Sequence, residues 1–249
     1  MPTGYTVLPK VYDRWQQTYG KDFSSLILPR LLSAIRHYRI PKSAMLDLAC
    51  GTGTLAIMMA RRGWKVWGVD CSEGMIAESV KKLEGIDKQV IFLCQDMTQL
   101  ELPGQVILAT CFFDSLNHLL TKRDLLKTFR GVYKALLPNG YFVFDVNNEL
   151  CYKSVWTPTN TVSHKDFTLV FRNTYNPDNR LARSGVELFS NTGSFNEHST
   201  ETVLERYFDN EEIAELLRTV GFRVLQNEDF SFTGIPDLST MKTLWVVQK

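Results

Sequence analysis

Asp47-Leu48-Ala49-Cys50-Gly51-Thr52-Gly53-Thr54 follows an apolar run that begins at Ala44 and precedes a helical pattern, so it reads as a turn from a strand into a helix. Two glycines at this spacing have a physical use there. Without a Cβ, Gly51 and Gly53 can take up positive φ and let a ligand approach the backbone, while the start of a helix offers N–H groups that have no partner within the helix. Taken alone, the stretch fits a bare strand-to-helix turn equally well. Its surroundings decide.

From residue 44 onward, short apolar runs alternate with helical patterns, the signature of a parallel sheet with crossover helices. Strands are predicted at 44–50, 65–70, 90–96, 105–113 and 141–146, with two more at 222–225 and 244–247. Thr121 and Asp124 resemble a capping box at the start of a helix that runs to about Leu137, where Pro138-Asn139-Gly140 stops it. A second helix is predicted to start after Asp209, with Glu212 at its third position, and to end at Gly221. Residues 151–205 lack a crossover helix and alternate around Asn176-Pro177-Asp178-Asn179, which predicts antiparallel hairpins.

Two acids add to the glycine turn. Val69-Asp70 ends the second strand, so its carboxylate is expected at the same sheet edge, placed to accept hydrogen bonds from two ribose hydroxyls. Gln95-Asp96-Met97 ends the third strand in the same way; Asp96 suits an adenine amino group, and Met97 offers a backbone N–H and an apolar side chain. As isolated residues, both acids would more often be helix caps. Three such features at successive strand ends, around a topological switch point, favour a nucleoside site.

Composition narrows the function classes. The 249 residues are 44% hydrophobic and 22% charged, as in a globular chain. With 28 Lys and Arg against 27 Asp and Glu, there is no overall positive field to draw the chain to a nucleic-acid backbone. Residues 1–13 show no secretory pattern, and Leu26-Ile27-Leu28, cut by Pro29, is far shorter than the ~20 residues of a membrane span. The expectation is a cytoplasmic protein with no membrane anchor. Cys50, Cys71, Cys94, Cys111 and Cys151 show no metal-site or redox spacing; an odd number of them suits a reducing compartment, and the positions near strand ends predict core packing.

Asp-Leu-Ala-Cys-Gly-Thr-Gly, Val-Asp-Cys-Ser-Glu-Gly-Met and Gln-Asp-Met together resemble the nucleoside-binding motifs of Rossmann-like S-adenosylmethionine-dependent methyltransferases. Leu137-Pro138-Asn139-Gly140 is similar to that family's turn before the fifth strand. Within it, Tyr12-Asp13, Gly20-Lys21-Asp22-Phe23 and 111–119 look most like aminosugar N,N-dimethyltransferases, with glycine N-methyltransferase more distant. The resemblance implies an α/β fold. Its sheet has seven strands, mostly parallel with the last antiparallel, helices on both faces and an antiparallel β insertion after strand five. It divides the chain into an S-adenosylmethionine-binding domain, 1–150 and 206–249, and a hairpin insertion, 151–205, that covers the substrate pocket. Those relatives usually carry Glu where this chain has Asp70, and many have Gly at Ala49.

By the same resemblance, S-adenosylmethionine, and S-adenosylhomocysteine as its product, is assigned to Tyr12, Tyr19, Ala49, Gly51, Gly53, Asp70, Cys71, Met75, Asp96, Met97 and Phe112. Asp114, Ser115, Asn117 and His118 follow the fourth strand, where the superfamily places groups next to the transferred methyl. His118 is the candidate catalytic residue, since an imidazole can take a proton from an amine or hydroxyl near neutrality. No metal is implied. The acceptor class implied is a small molecule bearing an amine, aminosugar, carboxylate or hydroxyl; nucleic acid is disfavoured, and a homodimer is left open.

Two other classes compete. Gly51 to Ala56 formally fits the Gly-x-Gly-x-x-Gly/Ala fingerprint of NAD-dependent oxidoreductases, yet Ala56 and Asp70 are 14 positions apart against the ~20 usual there. A non-catalytic adenosylmethionine-binding protein would bind the donor and transfer nothing. The first prediction separates the acid's two roles: Asp70→Ala should lose ~1.5–3 kcal/mol of binding, roughly tenfold or more in affinity for adenosylmethionine. Unchanged calorimetric affinity in the folded variant would remove Asp70 from the ribose site.

Overall fold

Seven strands form one sheet in the order β10-β11-β5-β4-β1-β2-β3. They are β1 (Ala44–Leu48), β2 (Lys65–Asp70), β3 (Val90–Cys94), β4 (Val106–Cys111), β5 (Leu136–Asn147), β10 (Arg223–Phe230) and β11 (Lys242–Gln248). β11 is antiparallel to both its neighbours, β5 and β10, and the other paired strands are parallel. β1 sits between β2 and β4, so the chain switches direction across the sheet there and leaves a crevice beyond the strand ends. The computed structural model describes residues 5–18, 22–83, 85, 88–154, 156, 158–191, 198–230 and 240–249.

Helices α1 (Tyr12–Gln17), α2 (Phe23–His37), α3 (Thr54–Ala60), α4 (Glu73–Val80), α5 (Lys122–Ala135) and α7 (Asn210–Val220) join or flank these strands. α5 forms where the sequence predicts it. Thr121 accepts the Asp124 N–H at 3.1 Å, and Leu125, Phe129 and Val132 recur at helical spacing on the buried face. It ends at Ala135, two residues short of the sequence reading, because Leu136 is already paired with Val106. α7 has the full capping box of Asp209 and Glu212 and stops at Gly221, whose φ of 108° suits glycine. α2 runs through Pro29, which cuts the apolar run Leu26-Ile27-Leu28 but does not end the helix. Its Asp22 cap and the burial of Ile27, Leu28, Leu31 and Ala34 outweigh the ~3 kcal/mol an interior proline costs. Among the described residues, no helix is long and apolar enough to cross a membrane.

The sheet separates two apolar layers. On one face α5 and α7 pack Phe129, Ile213 and Leu217 against Phe142, Phe144 and Trp245; on the other α2 and α3 pack Leu31 and Met59 against Met45, Val143 and Val246. Phe144 stacks on Trp245 at 5.9 Å between ring centroids. Truncating a buried aromatic of this kind typically costs ~3–5 kcal/mol, so these layers dominate the stability of the sheet. The strand-end cysteines divide: Cys111 and Cys151 are buried and Cys50 half-buried, whereas Cys71 and Cys94 are exposed. The expected core packing fails for the last two because β2 and β3 end at an open sheet edge.

Between β5 and α7 the chain first makes a short helix, α6 (Glu149–Ser154), and then a second sheet of antiparallel strands β6 (Asn160–Ser163), β7 (Phe167–Asn176), β8 (Leu181–Ser190) and β9 (His198–Arg206). The predicted hairpin is present: β7 and β8 pair from Asn176↔Leu181 to Phe167↔Ser190 around the turn at 177–180. One face of this sheet packs Phe167, Leu169, Val186 and Leu188 against Val7, Leu8 and Val11 of the N-terminal segment.

That segment is held by one buried carboxylate. Glu201 on β9 accepts the backbone N–H groups of Thr6 at 2.7 Å, Val7 at 2.9 Å and Leu8 at 3.4 Å, and the Thr6 hydroxyl at 3.2 Å. The N–H groups open a 3₁₀ turn, where partial positive charge gathers and an anion is favoured. Glu201→Ala should therefore release the segment, with a loss of about 2 kcal/mol or more in local stability. Hydrogen exchange at Val7 and Leu8 measures this: their amides should exchange much faster in the variant, and unchanged protection would show that apolar packing alone holds the segment.

Candidate active site

The crevice beyond β1 and β2 holds a cavity of ≈ 480 Å³, in the range that small-molecule sites occupy. Its floor is the glycine turn. Ala49, Gly51 and Gly53 all have positive φ, 54°, 55° and 74°, and a Cβ on Gly51 would meet no atom within 4 Å. Gly51 is thus the open place in the cradle. Gly53 is different: a Cβ there would fall 2.4 Å from the Phe92 ring, and the residue does not line the cavity. At this position glycine serves the turn and the packing of Phe92. Ala49 lines the cavity and carries the modest strain of a left-handed non-glycine residue.

Asp70 ties the turn to β2. Its Oδ2 accepts the Gly51 N–H at 2.9 Å and its Oδ1 the Ser72 N–H at 2.9 Å, so each oxygen keeps a lone-pair direction for a further donor. Burial raises its pKa, against the pull of those two N–H groups. Asp96 caps a 3₁₀ turn, with Oδ1 accepting both the N–H and the hydroxyl of Thr98 at 2.8 Å. Cys71, Met75, Asp96, Met97 and Phe112 all line the same cavity, as does Tyr12 from α1. Tyr19 lies outside the described residues.

Asp47 was not singled out as a ligand by the sequence, yet it lines the cavity with an unusual carboxylate. It is 3% exposed; Oδ1 accepts the Thr110 hydroxyl at 2.8 Å, and Oδ2 is buried without a hydrogen-bond partner among the described residues. Burial, partly opposed by the Thr110 hydrogen bond, pushes its pKa up from 3.8 to about 7. Such a group favours a cation beside it.

At the other end stand His118 and a residue that the sequence reading missed, Tyr5. His118 Nδ1 lies 3.1 Å from the Leu204 carbonyl, which can only accept, so Nδ1 carries the proton and Nε2 is left to accept the Tyr5 hydroxyl at 3.3 Å. The two rings meet edge to face at 5.5 Å, and Tyr5 meets Tyr12 similarly at 6.2 Å. Burial pushes both tyrosines upward, helped for Tyr5 by Tyr12 and for both by the charges of Asp114 and Asp70, so they act as neutral hydroxyls. A lone tyrosine near the N-terminus has no periodicity or motif to mark it. Thr202, Val203 and Leu204 of β9 complete the wall.

The polar run after β4 splits by role. Asn117 is fully buried, its Oδ1 accepting the Asn147 N–H and its Nδ2 donating to the Arg206 carbonyl. Ser115 donates to the Phe112 carbonyl at 2.7 Å. Asp114 takes Lys242 Nζ at 2.6 Å, and Asp145 Oδ1 accepts the Asp114 N–H at 2.8 Å. Burial would raise Asp114, but the charge and hydrogen bond of Lys242 outweigh it and leave its pKa lowered. Phe113 and Asp114 both have positive φ, 62° and 54°, a strained corner that this buried ion pair holds. Glu205 beneath it, bonded to Tyr152 and Asn147, is raised well above its usual value by burial and by Asp114.

Residues 45–140 match the family described as "Methyltransferase domain". The methyltransferase-family protein YqeM of Bacillus subtilis (strain 168) is 31% identical over 212 residues, 84% of this chain and 85% of that one. An S-adenosylmethionine-dependent methyltransferase from Clostridium acetobutylicum ATCC 824 shares the fold with a TM-score of 0.82 at 23% identity, over 96% of each chain. CalS10, an amino pentose methyltransferase from Micromonospora echinaspora, superposes with a TM-score of 0.71 at 20% identity, over 100% of this chain and 99% of its own. This chain belongs to the Rossmann-like, S-adenosylmethionine-dependent methyltransferases. The oxidoreductase alternative is thereby set aside.

Asp47 gives the site a pH dependence. Its pKa is higher in the folded protein than in the unfolded chain, so the folded state binds the extra proton and stability falls as pH rises from about 4 to 7. Asp145, pushed up to about 6 by burial, adds to the same slope. Asp47→Asn should flatten the loss of stability between about pH 4 and pH 7, by on the order of a few kcal/mol at most. Denaturant unfolding at several pH values checks it; parallel curves for variant and parent would mean that the folded protein leaves Asp47 at its ordinary value.

Proposed function

We propose that this methyltransferase acts on a small-molecule acceptor, whose nucleophilic atom enters the end of the cavity walled by Tyr5, His118 and β9. The observation that carries this reading is the joining of two chemistries in one cavity. A backbone cradle with three carboxylates lies at one end, and a hydrogen-bonded Tyr5–His118 pair with a defined acceptor nitrogen lies at the other.

When bound, S-adenosylmethionine supplies a methyl group already activated on a positively charged sulfur. The residues present suit it. Asp70 keeps acceptor capacity for the ribose hydroxyls, Met97 and Phe112 flank the place for adenine, and Gly51 leaves open space at the backbone. Asp47, with its unpartnered oxygen, suits the ammonium of the methionine moiety and is stabilised in its charged form by it. Tyr12 covers this end from α1. Alignment of acceptor and donor in a cavity closed from water accounts for much of the rate in such a displacement. The insertion supports that closure, since Thr202 to Leu204 and the segment latched by Glu201 both contribute wall.

His118 is assigned to the acceptor's proton. Tyr5 donates to Nε2, so a proton leaving an amine or hydroxyl passes to the Tyr5 oxygen while the Tyr5 proton moves to Nε2. An amine is the preferred acceptor, in keeping with the fold shared with an amino pentose methyltransferase. The domain division at 151–205 belongs to the same reading.

His118→Asn should leave adenosylmethionine affinity nearly intact and lower turnover by ~10²-fold or more, with Tyr5→Phe lowering it less. Labelled methyl transfer, screened against amines, aminosugar nucleotides, carboxylates and phenols from about pH 6 to pH 9, measures both. Turnover within a few-fold of the parent across that range would make His118 a structural residue that anchors Leu204.

A further inference from the structure

A second concave surface lies away from the cavity, between α2 and α3. Residues 23–69 contain seven of the chain's 28 basic residues and one of its 27 acidic residues, Asp47, which is buried at the active site. The rest of the chain is therefore net acidic, and the near-zero total charge conceals a basic face. Arg36, Arg39, Lys42, Arg61, Arg62 and Lys65 are all exposed, and none pairs with an acid among the described residues. Lys42 precedes β1 and Lys65 opens β2, so this face lies at the sheet edge opposite the glycine turn.

Part of the charge has a local use. Lys42 donates to the Arg62 carbonyl and Arg62 to the Met58 carbonyl, which satisfies the C-terminal end of α3. Helix-end effects of this kind do not call for six cations, nor do they explain the groove between the two helices. Leu28, Leu32 and Met58 floor it, and Arg36, Arg61 and Arg62 stand around it. Leu28 and Arg36 lie two turns apart on the same face of α2, with Leu32 between them.

We propose that this groove docks an acidic amphipathic helix of a partner protein, its apolar side chains on Leu28, Leu32 and Met58 and its carboxylates on Arg36, Arg61 and Arg62. A helix laid between two helices places an apolar stripe on a recessed floor and flanking charges on a rim, which matches this layout. A nucleic-acid strand would not use the apolar floor, and among the described residues no aromatic ring lines the groove for base stacking. A lipid surface calls for apolar side chains that protrude. Among the described residues, the large ones that stand most exposed are Val80, Ile91, Leu150 and Leu204, none of them in this groove.

The test uses the full chain and a labelled synthetic helix of about 18 residues, with leucines on one stripe and glutamates on both flanks. Fluorescence anisotropy should report saturable binding that weakens with salt. The triple variant Arg36→Glu, Arg61→Glu, Arg62→Glu should bind at least tenfold more weakly, and Leu32→Ser should also weaken binding. Both variants should keep the parent's affinity for adenosylmethionine, which shows that they are folded and leaves the active-site reading untouched. The same peptide with lysines in place of glutamates should not bind. Absence of binding, or binding that the triple variant does not reduce, overturns the proposal. So does tighter binding to a short DNA duplex or to phosphatidylglycerol vesicles than to the peptide, or a dimer of the chain that the triple variant dissociates.

Discussion

The hydrogen bond from the Gly51 N–H to the Asp70 carboxylate fixes the relation between two neighbouring strand ends, and the active site is built outward from it. The constraint is geometric. A turn with three left-handed residues in five positions, Ala49, Gly51 and Gly53, costs conformational energy and would not hold its shape without an acceptor aimed at it. β2 supplies that acceptor, and the same carboxylate takes the Ser72 N–H at the head of α4. One side chain thereby orders the glycine turn, the entry to a helix and the cavity floor. The register of β1 with β2, Leu48 opposite Val69, is what brings the two together.

A second set of contacts closes the cavity from the other side, and it is made of charges taken out of water. Lys242, Asp114, Asp145 and Glu205 come from four different segments and meet beneath the corner after β4. Removing one member of such a group leaves the others uncompensated, so it specifies the corner's shape more than it stabilises the fold. His118 depends on this arrangement: it follows the corner by four residues, and its ring is aimed by β9 through Leu204.

The parts of the molecule carried by periodicity were legible from the residues alone. The strands around β1, the α5 and α7 caps and the β7–β8 hairpin all follow from local rules about apolar spacing, capping and turns. The cradle was legible for the same reason, with Gly51, Asp70, Cys71, Met75, Asp96, Met97 and Phe112 meeting in one cavity. What local rules could not show was contact across long stretches of chain. Tyr5 reaches His118 across 113 positions, and Glu201 reaches Thr6 across 195. Asn117, read as part of a polar active-site cluster, is a buried strut between β5 and β9. That glycine at position 53 also makes room for the Phe92 ring on β3 shows only in the fold.

The Glu201 latch sets an order of events during synthesis. Thr6, Val7 and Leu8 leave the ribosome well before their acceptor, which follows almost two hundred residues later, on the order of ten to forty seconds at ordinary elongation rates. Through that interval the N-terminal segment has no site to fold onto, since the β7 and β8 side chains it packs against are equally late. The half of the sheet that carries the glycine turn, by contrast, has its β1–β4 pairings available much earlier. The nascent chain thus has the glycine turn in hand before the β9 wall of the cavity, which closes only once residues 198–206 have emerged.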